Sequence, residues 1–334
     1  VHPLLENLAA DQREQLVERG QPDRVSPMLA TLTERRIPED AWIFERKFDG
    51  ERCMVFRKNG RIRLMSRNRK VLNTTYPELV EAFAGQEARD FIVDGEIVAW
   101  EGNVTRFSRL QERMGITDPE KAKRSLVTVT ICLFDLLYLD GYDTTELELL
   151  TRKALLKDAI SYGGPIRYTR HRAGDGIGCY REACRSGWEG IIAKRAASRY
   201  VHRRSADWLK FPCLARQEFV IGGFTDPQGS RAGFGALLIG YYDGDLLRYA
   251  GRVGTGFDER MLTRTGDVLT SLGQENSPFA DKADREKGEH WVSPVLVCEV
   301  AFTGWTEAGK LRHPRFIGLR DDKEASTVVR EWPV

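Results

Sequence analysis

The sequence predicts an α+β chain of two domains, a larger one of antiparallel sheets with helices over residues 1–214 and a small β-barrel over 215–334. Three observations carry this. At 334 residues the chain is long enough for two separate cores. Up to Pro212 strand-like apolar runs alternate with stretches of helical spacing, whereas beyond it short strands follow one another between glycine-rich turns. Two tight-turn signals, Asn59-Gly60 and Asp243-Gly244, each join a pair of such strands and mark hairpins in both halves.

Through about Arg35 the chain reads as a helix and a loop leading to Pro27-Met28-Leu29-Ala30. Strand signals dominate from Trp42, with Cys53 to Phe56 and Ile62 to Met65 flanking Lys58-Asn59-Gly60. Tyr76 to Ala84 carries helical spacing, Phe91 to Trp100 is a strand with acids embedded, and Val127 to Leu139 is a longer one. Leu155, Leu156 and Ile160 mark a helix over Thr151 to Ile160. A short helix from Tyr180 to Ser186, ended by Gly187, precedes the strands Gly190 to Ala193 and Trp208 to Phe211. Past Pro212 come the strands Glu218 to Phe224, Ala236 to Tyr242, Leu246 to Ala250 and Val295 to Phe302, interrupted by a helix over Asp258 to Leu272. Short strands with one helix in this length make an OB-fold the leading candidate.

A net charge of only +2 leaves nucleic-acid binding to local clusters. Arg57, Lys58, Arg61, Arg63, Arg67, Arg69 and Lys70 form one; Lys194, Arg195, Arg199, His202, Arg203, Arg204 and Lys210 form another. Solvated faces and phosphate contacts both fit such runs. The cysteines at 53, 132, 179, 184, 213 and 298 have no CxxC pair and no zinc spacing, so reduced thiols in a cytoplasmic protein are expected. No apolar run reaches the roughly 18 residues of a membrane span, and no signal peptide opens the chain. Residue 1 is valine, which fits a processed chain or a piece of a longer one.

The stretch Glu45-Arg46-Lys47-Phe48-Asp49-Gly50-Glu51-Arg52 is the richest in chemistry. A lysine amine is nucleophilic only when neutral, and nearby cations such as Arg46, Arg52 or a metal ion lower its pKa. Gly50 lets the backbone turn tightly and approach a ligand. Two readings fit: a nucleophilic lysine at the lip of a nucleotide pocket, or a charged strand end followed by a turn. In Asp94-Gly95-Glu96 a period of two points both acids to one face of an apolar strand, where each needs a cation or a hydrogen-bond network; an Asp-Gly turn is the alternative. Glu189 adds a carboxylate before Gly190-Ile191-Ile192-Ala193-Lys194, and such acids suit Mg²⁺ or a structural salt bridge. Lys194 and Lys210 emerge from apolar strands and are candidates for phosphate contact. Phe134 is either core or a stacking surface for a purine.

The order of these motifs resembles the covalent nucleotidyltransferases: KxDGxR at Lys47 to Arg52, Ser66-Arg67-Asn68, Asp94-Gly95-Glu96, Phe134-Asp135, EGIIAK at 189–194, Trp208-Leu209-Lys210, and Arg320-Asp321-Asp322-Lys323. Within them the chain resembles an ATP-dependent DNA ligase. The spelling is similar to the ligase module of bacterial ligase D-type end-joining proteins at PMLA (27–30), KFDGER (47–52), QEFVIGGFT (217–225), GFGALLIGYYDG (233–244) and YAGRVGTGF (249–257).

The resemblance implies an adenylation domain followed by an OB-fold domain. It implies that Lys47, with Asp49, Lys194 and Lys210 as further catalytic residues, takes AMP from ATP and passes it to the 5′-phosphate of a DNA nick. Glu45 and Phe134 would hold adenine, Arg46 would join the nucleotide site, Arg52 and Glu96 would lie near ribose, and Arg67, Lys194 and Lys210 would meet phosphate. Glu96 and Glu189 would place Mg²⁺ or Mn²⁺. Arg320 and Lys323 would orient the leaving pyrophosphate from the OB domain, which calls for a mobile hinge near Cys213 to Arg216. The family's fifth motif commonly carries a second lysine where this chain has Pro212. Expected partners are nicked duplex DNA, gripped by the two domains alone, and Ku or other end-joining proteins. The protein is expected to be a monomer without membrane association, at the nucleoid when bound to DNA. Arg199 to Arg204 and Gly229-Ser230-Arg231 would touch the duplex. The alternatives are an RNA ligase or capping-type nucleotidyltransferase, which shares the KxDG chemistry, and a catalytically silent nucleic-acid-binding scaffold. Against capping, the C-terminal motif ends in lysine, as in ligases. Intact Lys47, Glu96, Glu189 and Lys323 speak against the scaffold, and Pro212 for it.

Overall fold

The computed structural model describes residues 2–33, 37–213, 215–227, 229 and 232–331. Between Cys213 and Leu214 the chain divides into two compact units. In the first, the strands of three or more residues are β1 (Leu29–Leu32), β2 (Trp42–Lys47), β3 (Glu51–Lys58), β4 (Arg61–Ser66), β5 (Phe91–Glu101), β6 (Val129–Leu139), β7 (Ile166–Tyr168), β8 (His171–Ala173), β9 (Gly190–Arg195) and β10 (Arg204–Pro212). Its helices of eight or more are α1 (Pro77–Ala84), α2 (Leu149–Ala159) and α3 (Gly176–Arg185).

These strands form two sheets. One runs β6–β5–β3–β4, with β7 parallel to β6; the other runs β8–β2–β9–β10–β1, with β1 parallel to β10 and the remaining pairs antiparallel. Asn59 and Gly60 both take positive φ (50° and 75°), so the β3–β4 hairpin closes in two residues as its Asn-Gly predicts. Every residue of β6 is buried, which is why it reads as an unbroken apolar run rather than an alternating one. Behind it the main core gathers Leu79 and Phe83 of α1, Leu155 and Leu156 of α2, and Phe91, Val93 and Ile97 of β5.

In the second unit β11 (Ala215–Thr225), β12 (Leu237–Asp243), β13 (Leu246–Val253), β14 (Glu289–Phe302) and β15 (Arg315–Leu319) form one antiparallel sheet in the order β13–β12–β11–β14–β15. A register shift between Ile221 and Gly223 bends β11. The sheet curls round Phe219, Ile221, Leu237, Ile239 and Val300, and α4 (Glu259–Ser271) adds Leu262 and Leu269 to that core. The OB-fold topology holds.

Three local expectations differ from the structure. Leu29–Leu32 is a strand, because its backbone pairs with β10, a long-range partner invisible to local pattern. Arg315–Leu319, which the sequence reading did not count among the strands, is also a strand; its five residues, with Gly318 among them, are too few to mark it alone, and it pairs with β14. The reduced-thiol expectation is overturned for one pair: Cys184, in the last turn of α3, is disulfide-bonded to Cys213, with Cα atoms 5.3 Å apart, while Cys53, Cys132, Cys179 and Cys298 are free and buried. No spacing motif marks the pair, since it is α3 docking on Phe44 and Ile191 that brings its C-terminus to the end of β10. The bond closes a loop of sequence separation 29. Reducing it should cost the first unit about 3 kcal/mol through restored chain entropy in the unfolded state. Urea unfolding with and without a strong reductant, beside a Cys184→Ser/Cys213→Ser variant that shows no such difference, checks this.

Candidate active site

Strand register sets the site. Rows across β2, β9 and β10 place Lys47, Gly190 and Pro212 side by side, then Glu45, Ile192 and Lys210, then Ile43, Lys194 and Trp208. Residues paired across strands share a face, and positions two apart share it too. Glu45, Lys47, Lys194 and Lys210 therefore lie on one face of one sheet, and a lysine at 212 would stand in the row of Lys47. Gly190 has a φ of 149°, and a Cβ there would fall 2.2 Å from Phe211 O, so only glycine fits between the flanking strands.

Lys47 sits at the end of β2 with its ammonium ion-paired to Glu189. Glu189 is buried, and its Oε2 has no hydrogen-bond partner. Carboxylate oxygens of Asp49 and Glu189 lie within 4.8 Å of each other. An unsatisfied, buried carboxylate oxygen beside a second acid fits a hard divalent cation. Asp49 also holds its own loop in place. Its backbone N–H donates to Thr105 Oγ1 at 3.1 Å, and its Oδ2 accepts from Phe107 N at 3.3 Å. Gly50 makes its close approach to protein rather than to a ligand, for a Cβ there would meet Ile97 O at 2.2 Å.

The Asp94-Gly95-Glu96 segment is continuous strand in β5, so the turn alternative falls. Asp94 is fully buried and doubly bound by Arg52, Nε and Nη2 each at 2.5 Å, with Tyr200 OH donating at 2.7 Å. Glu96, half-buried, is the Cα partner of Arg52 across β3. Phe134 is buried, with the Arg52 guanidinium 4.7 Å and the Lys194 ammonium 4.3 Å from its ring centre. In this arrangement cations, not open space, cover the ring expected to stack on a purine.

Glu45 is 3% exposed and paired on both oxygens, to Lys153 at 2.5 Å and Lys194 at 2.7 Å. Burial by itself raises its pKa, but the two ammoniums outweigh that and hold the carboxyl below its usual range. Burial pushes Lys194 down to about 8, against the opposing pull of Glu45. A cavity of about 300 Å³ opens beside this strand, lined among others by Glu45, Arg46, Trp100, Thr169, His171 and Trp188. The Arg46 guanidinium lies 4.4 Å from the Trp188 ring centre and 5.0 Å from that of Trp100, and its Nε and Nη2 find no hydrogen-bond acceptor. Burial lowers its pKa to about 10. Thr169 Oγ1, Trp100 Nε1 and His171 Nδ1 are likewise buried without partners. A cavity with flat apolar walls and unsatisfied polar atoms suits a planar, polar ligand.

The other expected site residues are spread more widely. Arg67 is half-buried in the turn after β4. In the second unit Arg320 binds Asp322 through Nε and Nη2, both at 2.8 Å, and Glu299 through Nη1 at 2.9 Å, while Lys323 pairs with Glu218 at 3.0 Å. Of the residues expected to touch duplex, Arg199 pairs with Glu146 at 2.9 Å; Ser230 and Arg231 lie outside the described residues, as does Leu214 of the expected hinge. No helix among the described residues is long and apolar enough to cross a membrane. Sequence reading missed Arg152 and Lys153 of α2, both buried. The signal was present: they interrupt the stripe of Leu149, Leu155, Leu156 and Ala159 at positions where the helix faces the core.

Comparison with known proteins bears on this arrangement. A family model described as the ATP dependent DNA ligase domain matches residues 27–211, and one for the ATP dependent DNA ligase C terminal region matches 230–323. The multifunctional non-homologous end joining protein LigD of Pseudomonas aeruginosa is 38% identical over 321 residues, covering 93% of this chain and 37% of its own length. The multifunctional non-homologous end joining DNA repair protein LigD of Mycobacterium tuberculosis is 37% identical over 315 residues, 92% of this chain and 40% of its own. The chain thus spans about two fifths of the length of these relatives. Among solved structures, a mycobacterial DNA ligase D complexed with ATP and MES matches with a TM-score of 0.67 and 36% identity, over 92% of this chain and 98% of that one.

Proposed function

The chain belongs to the ATP-dependent DNA ligases, and from that premise we propose that it seals nicks in duplex DNA with Lys47 as its nucleophile. The observation that carries this reading is the placing of Lys47 against Glu189 on one sheet face with Glu45, Lys194 and Lys210. In the first step Lys47 Nζ, having lost a proton, attacks the α-phosphorus of ATP. The N–P bond forms as the bond to the bridging oxygen breaks, and pyrophosphate leaves with the electron pair. A 5′-phosphate oxygen of the nick next displaces the lysine from AMP. The 3′-hydroxyl then attacks the phosphorus of the nick's own 5′-phosphate and gives up its proton. The new ester bond to that phosphorus forms as its bond to the bridging oxygen breaks, and AMP leaves with the electron pair.

Each step is an in-line displacement in which the protein supplies alignment and charge. Lys194 and Lys210 meet the α-phosphate, Arg67 a phosphate oxygen, and Arg52 and Glu96 the ribose. Glu45 accepts from the exocyclic amine of adenine. Phe134 stacks on the base once the cations over its ring give way, and Arg46 borders the base pocket. Glu189, Glu96 and Asp49 would hold Mg²⁺ or Mn²⁺, which when bound offsets phosphate charge. The first domain, 1–214, holds these residues, and 215–334 delivers Arg320 and Lys323 to the pyrophosphate after release from their present acidic partners. The names of the LigD relatives, which speak of non-homologous end joining, support a role in that process. The partner in this reading is Ku or another end-joining protein, and the working form a monomer in the bacterial cytoplasm.

Sealing of a nicked duplex carrying a 5′-phosphate, measured with ATP and Mg²⁺ against the same nick in RNA, tests the proposal; product from the RNA nick alone would overturn it. Arg320→Ala and Lys323→Ala should each slow self-adenylylation by about a hundredfold, as loss of a transition-state charge contact does, while sealing of a pre-adenylylated nick falls far less. Equal loss in both reactions would count against their role in pyrophosphate departure.

A further inference from the structure

Lys153 is a buried cation beside the site that the proposed chemistry does not use. It projects from α2, is 1% exposed, and donates from Nζ to Glu45 Oε1 at 2.5 Å and to Thr169 O at 3.0 Å. Lys194 takes the other Glu45 oxygen. Each carboxylate oxygen offers two lone-pair positions, so one on each remains after both ammoniums are bound. Glu45 and Thr169 line the same cavity, so a ligand there reaches the acid that Lys153 fixes.

A carboxyl this deeply buried without cations would take up a proton and become a donor as well as an acceptor. With Lys153 in place it is an acceptor only, also once Lys194 has turned to the α-phosphate, and the Lys153 bond to the Thr169 carbonyl fixes where it points. At carbon 6 an aminopurine presents a donor and an oxopurine an acceptor. An acceptor-only group pairs with the first and repels the second. We propose that Lys153 is the positioning residue through which this site selects a 6-aminopurine nucleotide over a 6-oxopurine one, by holding Glu45 as a fixed, anionic acceptor at the base pocket. This rests on Glu45 reading the base edge.

The test compares ATP with ITP, which differ in the amino or oxo group at carbon 6 and in the proton that the oxo form carries on N1, in covalent nucleotidylation of the full chain followed by intact mass. The ATP-to-ITP ratio of kcat/KM should fall about tenfold or more in Lys153→Met, in keeping with the loss of a specific polar contact to the substrate. The loss should fall on KM for ATP more than on the limiting rate. Lys153→Arg, which keeps a charged donor, should recover most of the preference. If Lys153→Met does not fold, Lys153→Gln, which keeps a donor but no charge, carries the same expectation. Equal losses with both nucleotides and an unchanged ratio would overturn the proposal and leave Lys153 a packing residue. Glu45→Gln separates the two levels: an unchanged ratio there would sink the reading of Glu45 itself. A ratio lost in Glu45→Gln but kept in the Lys153 variants would sink the role of Lys153 alone.

Discussion

Lys47→Ala should yield no AMP adduct after incubation with ATP and Mg²⁺, whereas the unaltered chain gains one AMP in its intact mass. The expected loss is complete, because no neighbouring group can replace the amine. Lys194 is buried two rows from Lys47 and pairs with Glu45, with Phe134 and Trp208 packed about its ammonium. Lys210 stands in the row of Glu45 and Ile192, not in the row of Lys47. The substitution should leave folding intact, since Lys47 is only partly buried and stands at a strand end rather than in the core. Adduct on the alanine variant would remove Lys47 as nucleophile. No adduct on either protein, even after pyrophosphate treatment to strip bound AMP, would bring back the silent scaffold. Sealing of a nick already carrying AMP should survive in the variant, because that last step does not need the amine.

Arg152→Met should destabilise the first unit by about 3–5 kcal/mol, the usual cost of breaking a buried ion pair from one side. Arg152 and Asp135 are both wholly buried and joined by two bonds, Nε to Oδ1 at 2.7 Å and Nη2 to Oδ2 at 2.9 Å. Arg152 Nη1 also donates to the carbonyls of Leu147 and Ser198, so it ties α2, β6 and the loop after β9 together. Its removal strands a carboxylate in the core and leaves those carbonyls unsatisfied. Urea unfolding should show a lower midpoint at unchanged slope. Pairing the change with Asp135→Leu should recover part of the loss, because the stranded charge goes with it. A double variant as unstable as the single one would assign the cost to the lost carbonyl contacts instead.

The Phe134-Asp135 motif thus has two separate roles. Phe134 packs among Arg52, Lys194 and Trp208, the side proposed for the base, while Asp135 faces α2. Motif spelling shows neither division of labour nor partner. The same holds for Asp94, whose partners Arg52 and Tyr200 come from 42 and 106 residues away in sequence.

Local pattern was enough for the hairpins, the long buried strand, α4 and the change of architecture near Pro212, because turn chemistry and apolar periodicity act within a few residues. It was not enough for the candidate nucleophile and the carboxylates about it: read alone, Lys47 to Arg52 also fits a charged strand end and a turn, and only the resemblance of the ordered motifs to a family singled those residues out. Nor could it supply whatever depends on two distant segments meeting. The strand character of Leu29–Leu32 comes from β10, and the Cys184–Cys213 bond comes from α3 docking on its sheet. The Lys153–Glu45–Lys194 triad joins three elements that are separate in sequence. A buried charge is tolerated only where its partner is already in place. The pairings made by the proposed acceptor, its donors and the proposed nucleophile were therefore decided by tertiary packing, and the residues able to make them by the sequence.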